Sequence, residues 1–164
     1  MEANNCFILI GHYHGKSIWS KFIKLRSWWK SPITHTAAFS PDLTMVYEAW
    51  KPGCVKDYWE NSHHAPGTRV DVFKIPCTVE QQALFYGFLE ETKGAKYDYK
   101  GVVLGFLAQG NVQDKDRYFC TEWIELALEA AGLCFQARMP ASKLTPSLGY
   151  VSPAQEPYRS LTTP

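Results

Sequence analysis

A thiol in the first turn of a helix is chemically primed, and Cys120 occupies such a position. Counting from Cys120, the apolar residues Trp123, Ile124, Ala127, Leu128 and Ala131 recur at helical spacing, which predicts one buried helical face over about 120–131. Glu122, Glu125 and Glu129 are expected to form the wet stripe of that helix, with Gly132 as its stop signal. Unpaired backbone N–H groups and the positive end of the helix dipole favour thiolate over thiol at such a site, and the thiolate is the nucleophile. A plainer reading makes Cys120 the first member of the buried face, because free cysteine is often buried. Glu122 would also oppose activation, since a nearby carboxylate raises a thiol pKa.

The partner such a thiol needs is a histidine, and one lies in a hairpin far upstream. Thr34-His35-Thr36-Ala37-Ala38-Phe39 and Thr44-Met45-Val46-Tyr47-Glu48-Ala49-Trp50 are two β-prone runs, and Ser40-Pro41-Asp42-Leu43 between them reads as a turn. A loop centred on Pro41-Asp42 would set Phe39 opposite Thr44 and His35 opposite Glu48. Opposed residues share a face, with Cβ atoms about 4.5–5.5 Å apart. A glutamate there can accept the imidazole N–H, fix its tautomer and stabilise the protonated ring. The alternative is a polar cross-strand pair on a solvated face.

The order histidine, acidic residue one strand later, then cysteine opening a helix resembles the circularly permuted branch of the NlpC-like, papain-fold cysteine hydrolases. The resembling pieces are Thr34-His35-Thr36-Ala37-Ala38-Phe39, Tyr47-Glu48-Ala49, Tyr97-Asp98-Tyr99 and Tyr118-Phe119-Cys120-Thr121-Glu122-Trp123, with Leu144-Thr145-Pro146-Ser147-Leu148 downstream. The resemblance implies Cys120 as nucleophile, His35 as general base and Glu48 as the orienting third member. It implies an α+β fold, an antiparallel sheet packed against helices, and thiol acyl chemistry of the kind shared with lecithin:retinol acyltransferase relatives. In place of the Gly-Asp pair common early in such proteins, the first strand carries Gly11-His12. The implied substrate is a small peptide, an amide or an acyl lipid. The backbone N–H of Cys120 is the expected oxyanion donor; His12, His14, Tyr97 and Tyr118 are candidates for a second donor or for substrate contact.

Size and composition fit one domain over 1–164, with an irregular proline-rich strap from about 140 that carries Pro140, Pro146, Pro153, Pro157 and Pro164. An apolar content of 46% separates the chain from disordered sequences. A net charge of +1 gives no reason to expect a nucleic-acid partner. No apolar run reaches the roughly 20 residues of a transmembrane span, and the start lacks a secretory signal pattern. Five cysteines without a Cys-x-x-Cys spacing describe neither a disulfide framework nor a zinc site, so a reduced, cytoplasmic protein without cofactor or metal is expected. His12 and His14 share a strand face, and His63-His64 adjoin in a loop, but neither pair has zinc-ligand spacing.

The elements expected to position the site are a strand over 6–13, a helix from Ser17 to about Trp29, the hairpin, a loop-rich stretch from Pro52-Gly53 to Pro66-Gly67, and a strand over 68–75. A helix capped by Thr78 with Gln81 runs to about Thr92, and Val102–Leu107 is read as helical. Residues 16–30 place Lys21, Lys24 and Arg26 among Trp19, Phe22, Trp28 and Trp29. That is either a domain helix packed on the sheet or a basic aromatic surface for anionic lipid. The second possibility supports an alternative function as a membrane-surface binding module without chemistry.

Overall fold

A computed structural model describes residues 6–15, 33–98, 117–133 and 156–164. The expected helices at 17–29 and 102–107, the Lys21, Lys24 and Arg26 surface, and Leu144–Leu148 lie outside the described residues.

Eight strands form one sheet: β1 (Phe7–Tyr13), β2 (His35–Phe39), β3 (Met45–Trp50), β4 (Gly53–Tyr58), β5 (Arg69–Pro76), β6 (Lys96–Tyr97), β7 (Arg117–Tyr118) and β8 (Arg159–Thr162). Their spatial order is β7-β6-β4-β3-β2-β1-β5-β8. All neighbours run antiparallel except β6 and β7, which are parallel. Among the described residues, two helices, α1 (Val79–Thr92) and α2 (Cys120–Ala130), join this sheet in an α+β architecture. Among the described residues, no helix is long and apolar enough to cross a membrane.

Strand alternation divides the apolar side chains between two cores. Ile8, Ile10, Ala38, Tyr47 and Ala49 meet Phe85 and Leu89 of α1 and Trp123, Ile124, Ala127 and Leu128 of α2. Leu9, Tyr13, Ala37, Phe39, Val46, Val70 and Val72 make the second cluster, with Trp59 and Leu161 packed against it. This is the period-two pattern expected of strands covered on both faces. Gly11 is required by close approach: an added Cβ would stand 2.4 Å from Cε2 of the buried Phe39 ring.

The helices end where local chemistry says they should. Thr78 Oγ1 accepts from the Gln81 N–H at 3.1 Å, and the Gln81 side chain accepts from the Thr78 N–H at 3.0 Å. These two bonds close a capping box. At the far end of α2, Gly132 adopts φ +68°, the Leu133 N–H reaches Leu128 O at 2.8 Å, and the Gly132 N–H reaches Glu129 O at 2.9 Å. That is a Schellman closure, with buried Leu133 as its apolar contact. Trp123, fully buried, ties α2 to α1 by donating from Nε1 to Thr92 Oγ1 at 2.7 Å.

Three expectations need correction. The loop-rich stretch contains β4, which pairs with β3 over its whole length, and a short 3-10 turn at Trp59–Asn61. The strap from about 140 is not irregular throughout, because β8 pairs with β5 from Arg69↔Thr162 to Val72↔Arg159. Glu122 is buried rather than wet: its carboxylate turns back to accept the Phe119 N–H at 3.3 Å, supporting the helix start.

Candidate active site

The hairpin holding His35 and Glu48 has a different register from the expected one. Phe39 pairs with Val46 and Ala38 with Tyr47, two residues further along β3 than a loop of Pro41-Asp42 alone would give. The cause is Pro41. Two-residue hairpin turns require positive φ at their first central position, which proline cannot adopt. The chain instead makes a turn closed by the Leu43 N–H on Ser40 O at 2.9 Å, with Leu43 at φ +64°. The Ser40 N–H then pairs with Met45 O at 2.9 Å. A shift of two leaves every side chain on its expected face. His35 and Glu48 therefore still meet, along a diagonal rather than head-on.

Their contact is short and dry. His35 Nε2 lies 2.9 Å from Glu48 Oε2, and the two residues are 5% and 1% exposed. An ionised carboxylate only accepts, so Nε2 carries the proton and Nδ1 remains for the thiol.

Cys120 opens α2 as expected, and the sheet makes room for it. The β2–β3 ladder consists of the two pairs Ala38↔Tyr47 and Phe39↔Val46. Cys120 opens α2 beside the start of β2, and the Thr36 backbone is among the groups that favour its charged form. Thr121 Oγ1 stands 3.8 Å from the same sulfur. Burial alone would raise the thiol pKa. The charge and hydrogen bond of His35, with those from Thr36 and Thr121, outweigh it and bring the pKa below the usual thiol value. Burial would likewise lower the His35 pKa, but the Cys120 thiolate and then Glu48 raise it to about 10. The thiol and the ring thus favour each other's charged forms. The contrast is Cys54, a buried thiol that burial and the Glu122 charge push up to about 12. Glu122 thus opposes ionisation at Cys54.

Glu48 has a second partner that the sequence does not suggest. His64 Nε2 also lies 2.9 Å from Glu48 Oε2, so one oxygen serves two imidazoles. Burial would raise the Glu48 pKa, yet the bonds from His35 and His64 hold it well below the usual carboxylate range. Burial lowers the His64 pKa against the pull of Glu48, leaving this ring neutral. Rings close around the pair: Tyr13 to His64 at 4.2 Å, His35 to His64 at 4.8 Å, Trp50 to His64 at 5.0 Å and Tyr13 to His35 at 5.1 Å between centroids. His64 follows the 3-10 turn, so no strand or helix periodicity marks it, and adjacency to His63 was its only visible trait.

The remaining candidates separate. His12 opposes Thr36, with Nδ1 3.1 Å from Thr36 Oγ1, which puts it beside the backbone that meets the thiol. Burial, and then the charge of His14, lower its pKa to about 4 and keep it neutral. His14 instead bonds Asp71 Oδ2 at 2.8 Å, within a cluster that includes Arg69 and Ser160. Tyr97 and Tyr118 pair across β6 and β7 and pack against the helix-side core.

Neither the family models nor the curated proteins contain a match to this sequence.

Proposed function

We propose that the protein is a thiol hydrolase that cleaves an amide or acyl bond through Cys120, His35 and Glu48. The carrying observation is that the thiol at the start of α2 and the His35 ring favour each other's charged forms, while buried Glu48 holds His35 Nε2 at 2.9 Å. This order of elements, a His35–Glu48 pair on neighbouring strands and a cysteine opening a helix, supports the resemblance to the permuted papain-like fold.

The thiolate attacks a carbonyl carbon, and the Cys120 backbone N–H receives the developing oxyanion, a donor typically worth about 2.7–4 kcal/mol. Imidazolium His35 passes its Nδ1 proton to the leaving amine, alcohol or thiol. The neutral ring then takes a proton from the incoming water or acceptor, which releases the acyl group and restores the thiolate and the imidazolium. Glu48 holds the ring in one tautomer and orientation throughout. Neutral His12, beside Thr36, is the better placed of the candidates for a second oxyanion donor.

The test is adduct formation. Protein incubated with activated esters, thioesters and peptide amides should gain the acyl mass on Cys120, detected by peptide mass spectrometry. The adduct should be absent in Cys120→Ser and slow to form in His35→Ala. Absence of any adduct, together with iodoacetamide labelling of Cys120 no faster than of Cys54, would overturn the reading.

A further inference from the structure

His35 Nε2, His64 Nε2 and a Glu48 carboxylate oxygen come from a strand start, a loop and the neighbouring strand, yet lie within 4.8 Å of one another. Each imidazole nitrogen is 2.9 Å from Oε2. Ligand atoms bonded to a tetrahedral zinc at about 2.0–2.2 Å stand roughly 3.3 Å apart, so small rotations would admit an ion. All three side chains are nearly sealed from solvent, at 7%, 2% and 10% exposure for His35, Glu48 and His64.

A second observation points to a missing ligand. Among the described residues, the Tyr13 hydroxyl is buried with no hydrogen-bond partner. A buried hydroxyl left unsatisfied carries its full desolvation penalty. Its ring lies against both histidines, at 4.2 Å from His64 and 5.1 Å from His35. An ion or its bound water would give this hydroxyl a partner.

We propose that His35, His64 and Glu48 form a binding site for a divalent transition ion of the zinc class, with Tyr13 beside its open position. Two imidazoles and one carboxylate suit zinc and its neighbours, whereas calcium and magnesium demand oxygen ligands throughout. Binding breaks both Nε2–H···Oε2 hydrogen bonds. The His35 Nε2 proton leaves to solvent, His64 carries its proton on Nδ1, and both Nε2 lone pairs turn to the metal. The consequence rests on the thiol-hydrolase reading: a ring ligated through Nε2 cannot cycle its proton, so the ion acts as a reversible off-switch. The ion-binding claim does not rest on that reading.

The experiment is zinc chloride titration into full-length Cys120→Ser protein, followed by calorimetry. This variant has no nucleophile, so its binding reports on the ion site alone. One ion per chain is expected. His64→Gln keeps a donor for Glu48 but is a poor zinc ligand, and in the Cys120→Ser background it should weaken binding by at least the roughly 10–100-fold typical of a lost supporting partner. His63→Ala, at the adjacent ring that is 3.7 Å from Asp57, should leave binding unchanged. Cobalt(II) bound to the wild-type chain should lack a sulfur-to-cobalt charge-transfer band. Absence of zinc binding by Cys120→Ser, undiminished binding by His64→Gln, or a thiolate band with cobalt would each overturn the site. Failure of the adduct test with zinc binding intact would remove only the proposed consequence.

Discussion

Glu48 and His35 meet at 2.9 Å between neighbouring strands, and the same carboxylate oxygen also receives His64. Such a carboxylate is locked from two sides, which holds the His35 ring in one orientation with its other nitrogen toward the sulfur. The predictions follow from that arrangement and from the packing that supports it.

Cys120 should be the fastest-alkylating cysteine of the four that are described. In chelator-treated protein, its iodoacetamide rate plotted against pH should have a midpoint below the free-cysteine value of about 8.5. Cys54, raised to about 12, should stay silent through neutral pH. His35→Ala removes the main force opposing burial, so the Cys120 midpoint should move upward. Unchanged rates in His35→Ala would break the link between the two side chains.

Glu48→Gln should destabilise the fold at neutral pH by about 3–5 kcal/mol, the usual cost of removing one partner of a buried ion pair. The sign with pH follows from the depressed Glu48 pKa. Its contribution is present above the unfolded carboxylate value and is lost as pH falls through the lower folded value. The gap between wild type and variant should therefore narrow in acid. Urea unfolding at pH 7 and near pH 3 measures it.

His35 contributes with the opposite sign. Its pKa is raised to about 10, so its stabilisation is complete below about 6.5 and fades as pH climbs through 10. Thermal melts of wild type and His35→Gln should converge on the alkaline side.

Gly11→Ala should destabilise by about 1–3 kcal/mol, the range for overpacking, since the new methyl would meet Phe39 at 2.4 Å in a full core. Chemical denaturation reads the cost, and a neutral result would mean that the Phe39 ring can step aside.

Thr78→Ala should cost about 0.5–2 kcal/mol through loss of one half of the capping box on α1. Cys120 reactivity should be unchanged, because Thr78 caps the end of α1 away from Thr92, the residue that holds Trp123 of α2.

Local signals carried much of this architecture. Thr78 and Gln81 mark the start of α1, and Cys120 and Gly132 bracket α2, because caps and left-handed stops act within a few bonds. Strand faces were legible from alternation. Partners distant in sequence were not. The strand Gly53–Tyr58 exists because β3 offers it a ladder, and nothing in Cys54-Val55-Lys56-Asp57-Tyr58 alternates cleanly enough to announce that. The burial of Glu122 depends on a bond to Phe119 that competes with solvation. His64 joins the site through loop geometry alone, and the Tyr13 hydroxyl gains meaning only from what surrounds it.

The kink that Pro41 forces between β2 and β3 also limits how this region can vary. Lengthening or shortening the 41–44 link by one residue would turn β3 over, carrying Glu48 to the opposite side of the sheet and separating it from the ring it steadies. A change of two would slide the carboxylate along the same side by one rung. Odd-sized insertions at that bend should therefore silence the thiol, while even-sized ones leave it repairable.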